Sequence, residues 1–205
     1  MYLCLAVCVA CGIVVFARAP GYIRLIICQL LLAGICETLG EWQKPLSTGW
    51  LYNIYMVLEF SLLIASAYDF FQTKFYKRAA IAALFLYLPG WIYQIASNGI
   101  DYFSVMGYVL GCIYLTPVFL AAVYEISIKT ENPRKHPFLW QSIGIIIYFG
   151  GVIPIFSMFN YFIHGNDHSK ELGIKLYAVN DILGVLRYGL IFYGLLLIPR
   201  KNVIK

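Results

Sequence analysis

The sequence predicts an all-α membrane protein, a bundle of about seven transmembrane helices, and three observations support this fold class. Of the 205 residues, 61% are hydrophobic and 12% are charged, whereas soluble domains contain about 45–50% apolar and about 25% charged residues. The mean hydropathy is +0.77, and long apolar runs alternate with short polar segments. A chain of 23.3 kDa cannot bury so many apolar side chains in a soluble globule, so we expect a lipid bilayer around it.

Seven apolar runs, separated by charged residues or by Pro, Gly and Asn, are each long enough for one helix, because about 20 residues cross the hydrocarbon core. They predict helices at roughly 2–17, 25–41, 50–71, 79–97, 102–125, 138–163 and 175–198. The first run has no basic residue before it, and Pro20 follows its only cleavage-like sequence. We therefore interpret it as a retained helix and not as a signal peptide.

Small residues and prolines predict how the later helices pack. Gly107 and Gly111 lie four residues apart in the fifth run, and Gly144 belongs to a glycine-containing face of the sixth. Such spacing allows a neighbouring helix to approach closely. Pro117 and Pro154 interrupt the same two helices, and each is expected to produce a kink or to free a backbone carbonyl.

The basic residues predict the orientation of the bundle. One alternate set of connections holds eleven Lys and Arg residues, and the other set holds three. Because Lys and Arg in short loops retain their segments in the cytoplasm, we expect an odd number of crossings, with the N-terminus outside and the C-terminus in the cytoplasm, in the cytoplasmic (inner) membrane. The net charge of +5 reflects this topology and contact with anionic lipid; nucleic-acid binding is not expected.

Ionisable side chains inside the predicted helices are the strongest indication of a functional site, because each costs about 2.5–3.5 kcal/mol at a helix centre. Glu59 and Arg187 fall near the middle of their helices, whereas Glu37 and Asp181 fall in the outer halves. Three carboxylates thus accompany one guanidinium. At least one carboxyl group is expected to be protonated, solvated through an open cavity, or neutralised by a bound cation or amine.

Helical spacing groups these charges with other polar residues. Tyr55 lies four residues before Glu59, and Asn180 lies seven residues before Arg187, so each pair shares one helix face. If the two faces meet, Glu59 and Arg187 can pair, which reduces the cost of burying either charge. A purely structural contact between the third and seventh helices is the alternative. The candidate ligand-binding residues are Asn53, Tyr55, Glu59, Asn180, Asp181, Arg187 and Glu37.

Catalytic patterns are weak. The histidines do not share one depth in the membrane, and the sequence has no H-E-x-x-H, G-x-S-x-G or phosphate-binding glycine motif. The Cys8-Val9-Ala10-Cys11 segment lacks the second pair that a zinc site needs. An intramembrane enzyme is therefore disfavoured, and we expect no catalytic residue, no metal and no cofactor.

Three short strings resemble those of a known group. They are Leu-Tyr-Asn-Ile-Tyr-Met-Val-Leu-Glu-Phe at 51–60, Pro-Phe-Leu-Trp at 137–140, and Val-Asn-Asp-Ile at 179–182 followed by Arg187. In these strings the chain resembles a group of uncharacterised bacterial seven-helix membrane proteins, which are similar to the membrane sensor modules attached to signalling enzymes. The resemblance implies a seven-helix fold and a role in signalling, and it supplies no activity.

Three functional hypotheses follow. In the first, the chain is a sensory or signalling protein: a small ligand enters from outside, contacts the candidate residues, and shifts helices kinked at Pro117 and Pro154. The change then passes to a cytoplasmic or membrane signalling partner. In the second, the chain is a small-solute or proton-coupled transporter that uses Glu59 or Asp181 as the titrating group. In the third, it is a structural subunit of a membrane complex.

Overall fold

The computed structural model describes residues 2–42, 48–158 and 167–199, and these form a bundle of α-helices. The helices are α1 (Tyr2–Val15), α2 (Gly21–Trp42), α3 (Gly49–Phe70), α4 (Lys74–Asn98), α5 (Val105–Lys129), α6 (Pro137–Ser157) and α7 (Asp167–Leu196). Short 3₁₀ helices at Phe16–Arg18 and Pro133–Lys135 lie in the connections before α2 and α6. The predicted all-α bundle is confirmed.

Most of the helices are long enough to cross a bilayer. Five of them, α2 to α6, and the Ala178–Leu196 part of α7 combine sufficient length with sufficient apolar character. The α1 helix with its 3₁₀ extension, Tyr2–Arg18, is apolar but shorter. The architecture is that of an integral, multi-pass membrane protein, and the orientation in the membrane stays a prediction.

Two helices begin five or more residues earlier than the apolar pattern predicts. α4 starts at Lys74 instead of residue 79, and α7 starts at Asp167 instead of residue 175. The added turns are rich in charged residues, which form helices readily where water can solvate their side chains. The expected continuation of the sixth helix over 159–163 lies outside the described residues.

Within the described residues, the seven helices form a closed ring. Each helix packs against the next one along the chain from α1 to α7, and α1 also packs against α7. The α1–α2, α3–α4 and α5–α6 connections meet at one end of the bundle, which we call the basic end. Among the described residues, it carries Arg18, Arg24, Lys74, Lys77, Arg78, Lys129, Arg134 and Lys135.

Close approach at glycines allows the helices to pack around aromatic side chains. A Cβ atom on Gly111 of α5 would lie 2.4 Å from the ring of Phe60 on α3. A Cβ atom on Gly144 of α6 would lie 3.0 Å from the carbonyl oxygen of Arg187 on α7. The predicted close-approach faces are therefore present. Phe60 lies at the centre, with its ring centroid 5.0 Å from that of Tyr87 and 5.5 Å from that of Phe149.

Candidate functional site

A buried ion pair joins α3 to α7 in the interior of the bundle. Arg187 Nη2 donates to Glu59 Oε1 over 2.8 Å, and each of the two residues is 2% exposed. The sequence-based expectation that these two charges pair is thus confirmed. Both groups lie well inside apolar helices, where the surroundings cannot solvate a charge. The pairing therefore offsets much of the free-energy cost of burying them.

Gln29 of α2 is the third member of this site, and the sequence analysis missed it. Its Nε2 donates to Glu59 Oε1 over 2.9 Å and lies 3.3 Å from the hydroxyl oxygen of Tyr55. The signal available in the sequence was an amide side chain within the apolar run of the second helix, because such a group needs hydrogen-bond partners where water is absent. We call Gln29, Tyr55, Glu59 and Arg187 the central cluster.

Aromatic rings surround the guanidinium of the central cluster. Arg187 Cζ lies 4.7 Å from the ring centroid of Phe149, 5.0 Å from that of Tyr148 and 5.7 Å from that of Tyr188. Ring faces attract cations, and the attraction is stronger where water is excluded. These contacts fix the position of Arg187 by interactions that are independent of Glu59. The Tyr148 hydroxyl is also 3.3 Å from the hydroxyl of Tyr108 on α5.

The central cluster is not fully satisfied. Arg187 Nε and Gln29 Oε1 are buried and make no hydrogen bond within the described residues, and Asn180 Oδ1 on the same face of α7 is in the same state. Each unpaired buried polar group costs about 1–3 kcal/mol. In folded proteins such groups are usually paired with ordered water or with a bound molecule, so these three atoms are the points at which a further partner can bind.

Asn53 lies apart from the central cluster and supports a loop. Its Nδ2 donates to the carbonyl oxygens of Ile100 and Tyr102 over 2.7 and 2.8 Å, and its Oδ1 accepts from the Ser104 amide over 2.8 Å. Gln94 Oε1 accepts from the Ser104 hydroxyl and completes the set. The structure thus places this candidate residue against the α4–α5 connection, where its polar atoms are occupied.

Glu37 and Asp181 form a second acidic region, away from the basic end. Glu37 is half-buried and lines a cleft of ≈ 680 Å³ between α1 and α2. Asp181 of α7 is exposed, and its negative charge and that of Glu59 repel the carboxylate of Glu37. The hydroxyl of Tyr2 donates to Glu41 Oε1 over 3.1 Å.

Both helices that border this cleft make hydrogen bonds farther inside the bundle, α2 within the central cluster and α1 to the backbone next to Arg187. On the α2 side, Gln29 lies eight residues before Glu37, which is about 12 Å along the helix. On the α1 side, the thiol of Cys8 donates to the carbonyl oxygen of Tyr188, next to Arg187, over 3.0 Å.

The basic end holds a further buried carboxylate. Glu125 lies near the end of α5, yet it is 2% exposed. It pairs with Lys129, and it accepts from the Thr73 hydroxyl over 3.1 Å and from the Gln72 amide over 3.3 Å. Glu125 is buried because the α3–α4 connection folds over the end of α5, a tertiary contact that the sequence pattern does not contain.

His136 precedes α6 at the same end. Its ring lies edge-on to Phe70, with centroids 5.8 Å apart. Burial of the imidazole lowers the pKa of His136 below its ordinary value, because the charged form loses hydration. The neutral ring is therefore the form that this packing selects.

No family model, no curated protein and no solved structure matches the chain. Among the described residues, no group of three or more His, Cys, Asp or Glu side chains is arranged to hold a metal ion. The central cluster and the cleft between α1 and α2 are therefore the features of the structure that bear on function.

Proposed function

We propose that this chain is a membrane sensory or signalling protein that lies in the cytoplasmic membrane with its basic end in the cytoplasm. A small ligand enters the cleft between α1 and α2 from the outer side and changes the hydrogen bonds of the central cluster. The rearrangement alters the packing of α7 against α6 and so changes the surface of the basic end. A cytoplasmic or membrane signalling partner responds to that surface.

One observation carries the proposal: each of the two helices that border the cleft contributes one hydrogen bond to the buried ion pair or to the residue next to it. Gln29 of α2 donates to Glu59, and Cys8 of α1 donates to the carbonyl of Tyr188. We expect a molecule that separates α1 from α2 to strain these bonds, since they hold α2 to α3 and α1 to α7 on the two sides of the cleft. Because the interior is close-packed, such a change favours a second discrete arrangement over a gradual deformation.

Burial of the ion pair favours sensing over proton-coupled transport. A carrier that uses Glu59 as its proton site must expose the carboxyl group to each side of the membrane in turn. Here Glu59 and Arg187 are each 2% exposed and are directly paired. A sensor needs only two arrangements of the pair and a ligand that binds one of them more tightly.

Fluorine NMR of the tryptophans tests the proposal. The protein has four tryptophans, and 5-fluorotryptophan can replace them in protein reconstituted into lipid nanodiscs. Trp42 lines the cleft, whereas Trp140 packs edge-on against Tyr193 of α7 at the basic end, with centroids 5.1 Å apart. Glu59→Gln is expected to shift or split the Trp140 resonance, because loss of the ion pair changes how α7 packs on α6.

Asp69→Asn is the matched control, since this carboxylate on α3 is exposed and lies outside the central cluster. It should leave the Trp140 resonance unchanged. Identical Trp140 spectra for the parent, Glu59→Gln and Arg187→Gln would contradict signalling through the central cluster. Proton flux into proteoliposomes that depends on Glu59 would instead identify a proton-coupled transporter.

A further inference from the structure

The cleft between α1 and α2 has two chemically different parts. Apolar side chains of Leu5 and Val9, together with the backbone at Gly34, form the part that lies deeper along the helices. Glu37, Glu41 and Trp42 line the part that lies toward the end of α2. The volume of ≈ 680 Å³ falls within the range of roughly 300–1,000 Å³ that is typical of small-ligand sites. The cleft therefore suits a molecule with an apolar body and a polar head.

The polar part of the cleft is acidic. Within the described part of the chain, its lining includes two carboxylates and no Lys, Arg or His. Glu37 is half-buried, and the negative charges of Asp181 and Glu59 repel its carboxylate. Because Arg187 is already paired with Glu59, it does not balance the charge of Glu37. The local excess of negative charge attracts a cationic head group.

The surroundings also select the kind of cation. Glu37 lies five residues before Trp42, about 7.5 Å along α2 from the helix end. Among the described residues, no group of three or more His, Cys, Asp or Glu side chains is arranged there to hold a metal ion. An organic ammonium group is more weakly hydrated, can pair with the carboxylate, and can lie against the indole ring of Trp42. The apolar walls then accept the carbon chain attached to the nitrogen.

We infer that the cleft between α1 and α2 is a binding site for an organic ammonium group that carries an alkyl chain, with Glu37 as the residue that recognises the charge. The inference deepens the proposed function and rests on it in one respect, namely that the molecule bound here is the signal. The ammonium group belongs either to a dissolved amine or to the head group of a membrane lipid such as phosphatidylethanolamine.

A titration of the fluorotryptophan-labelled protein tests the inference. Hexylammonium is added to protein in nanodiscs of phosphatidylglycerol, which contains no amine, and the Trp42 resonance is followed. A saturable shift is expected, and 1-hexanol, which has the same chain without the charge, should not produce it. Nanodiscs that contain phosphatidylethanolamine distinguish the two sources: a Trp42 shift already present without hexylammonium identifies the lipid head group, and its absence identifies the dissolved amine.

Glu37→Gln should weaken hexylammonium binding by about tenfold or more, since a charge-assisted contact is replaced by a neutral one. Glu37→Asp, which keeps the charge, should retain most of the affinity and shows whether a loss in Glu37→Gln reflects charge or misfolding. Asp69→Asn should bind as the parent does. Equal responses to hexylammonium and 1-hexanol, or unchanged affinity in Glu37→Gln, would overturn the inference.

The two tryptophans separate this inference from the proposed function. If hexylammonium shifts Trp42 and leaves Trp140 unchanged in the parent, the binding site stands and signalling through the central cluster fails. If Glu59→Gln shifts Trp140 while hexylammonium never shifts Trp42, the coupling between helices stands and the ammonium site fails. If hexylammonium shifts both resonances in the parent but only the Trp42 resonance in Glu59→Gln, both proposals are supported.

Discussion

Removal of one charge from the Glu59–Arg187 pair should destabilise the protein by an amount that depends on which charge is removed. Glu59→Gln leaves a guanidinium that is 2% exposed and cannot lose its charge. Breaking a buried ion pair in this way costs about 3–5 kcal/mol. Part of the cost is offset because Arg187 keeps its contacts with the rings of Phe149 and Tyr148, so we expect a value near the lower end of that range.

Arg187→Gln should cost less, because the carboxyl group that remains can become neutral by binding a proton. Glu59 also keeps its hydrogen bond from Gln29 at 2.9 Å. The expected loss is about 1–3 kcal/mol, the usual cost of an unpaired buried polar group. The double variant Glu59→Gln/Arg187→Gln should be more stable than Glu59→Gln alone, since no uncompensated charge is left and two amides can hydrogen-bond.

Equilibrium unfolding in mixed micelles, with SDS as the denaturant and tryptophan fluorescence as the signal, measures these differences. Asp69→Asn and Arg78→Gln are the matched controls, because both side chains are exposed near helix ends, and each should stay within about 0.5 kcal/mol of the parent. The reasoning would be refuted if Glu59→Gln proved as stable as Asp69→Asn. It would also be refuted if the stability losses of the two single variants simply added in the double variant.

Three further predictions concern other parts of the bundle. Gly194→Ala should destabilise the fold by about 1–3 kcal/mol in the same SDS titration, because the added Cβ would lie 2.6 Å from the Pro137 carbonyl oxygen; parent-like stability would contradict the close approach. Asn53→Leu should speed hydrogen exchange at the Ser104 amide by about tenfold or more, since that amide loses its acceptor; unchanged exchange would show that Asn53 does not hold the loop. Because burial lowers the pKa of His136, the unfolded chain binds more protons at this residue than the folded chain does. The stability that the neutral ring contributes is therefore complete above about pH 6.5 and is lost as the pH falls through the lowered pKa. His136→Phe should abolish this part of the pH dependence of the free energy of unfolding.

The helices could be predicted because lipid imposes a simple rule on the sequence. A segment that crosses the hydrocarbon core must be apolar over about 20 residues, and this pattern located all seven helices to within a few residues in most cases. It failed at the starts of α4 and α7, which begin at Lys74 and Asp167. Those turns are charged, so a hydropathy pattern treats them as loop although their residues are good helix formers.

The ion pair could be predicted for a related reason. Since a lone charge in lipid is costly, one arginine near mid-membrane required a carboxylate partner, and Glu59 was the carboxylate at the same depth. Gln29 was missed because a neutral amide carries no such requirement for a particular partner. Its contact with Glu59 depends on how α2 faces α3, which the sequence pattern alone does not determine.

The roles of other candidate residues could not be distinguished by residue type alone. Asn53 and Asn180 are both buried amides, yet Asn53 has three backbone partners whereas Asn180 Oδ1 has none within the described residues. The difference comes from the path of the α4–α5 connection, which passes over the start of α3. Loop paths of this kind depend on tertiary contacts, and hydropathy and helical spacing contain no information about them.

The distance between the Arg187 guanidinium and the Glu59 carboxyl group tests the central claim most directly. Solid-state NMR on protein in lipid bilayers, with ¹⁵N-labelled arginine and ¹³C-labelled glutamate, can measure the dipolar coupling between them and assign it by its loss in Glu59→Gln. A direct contact that corresponds to the 2.8 Å separation of Nη2 and Oε1 is the predicted result. A guanidinium that couples to lipid acyl chains and to no carboxyl carbon would contradict the account.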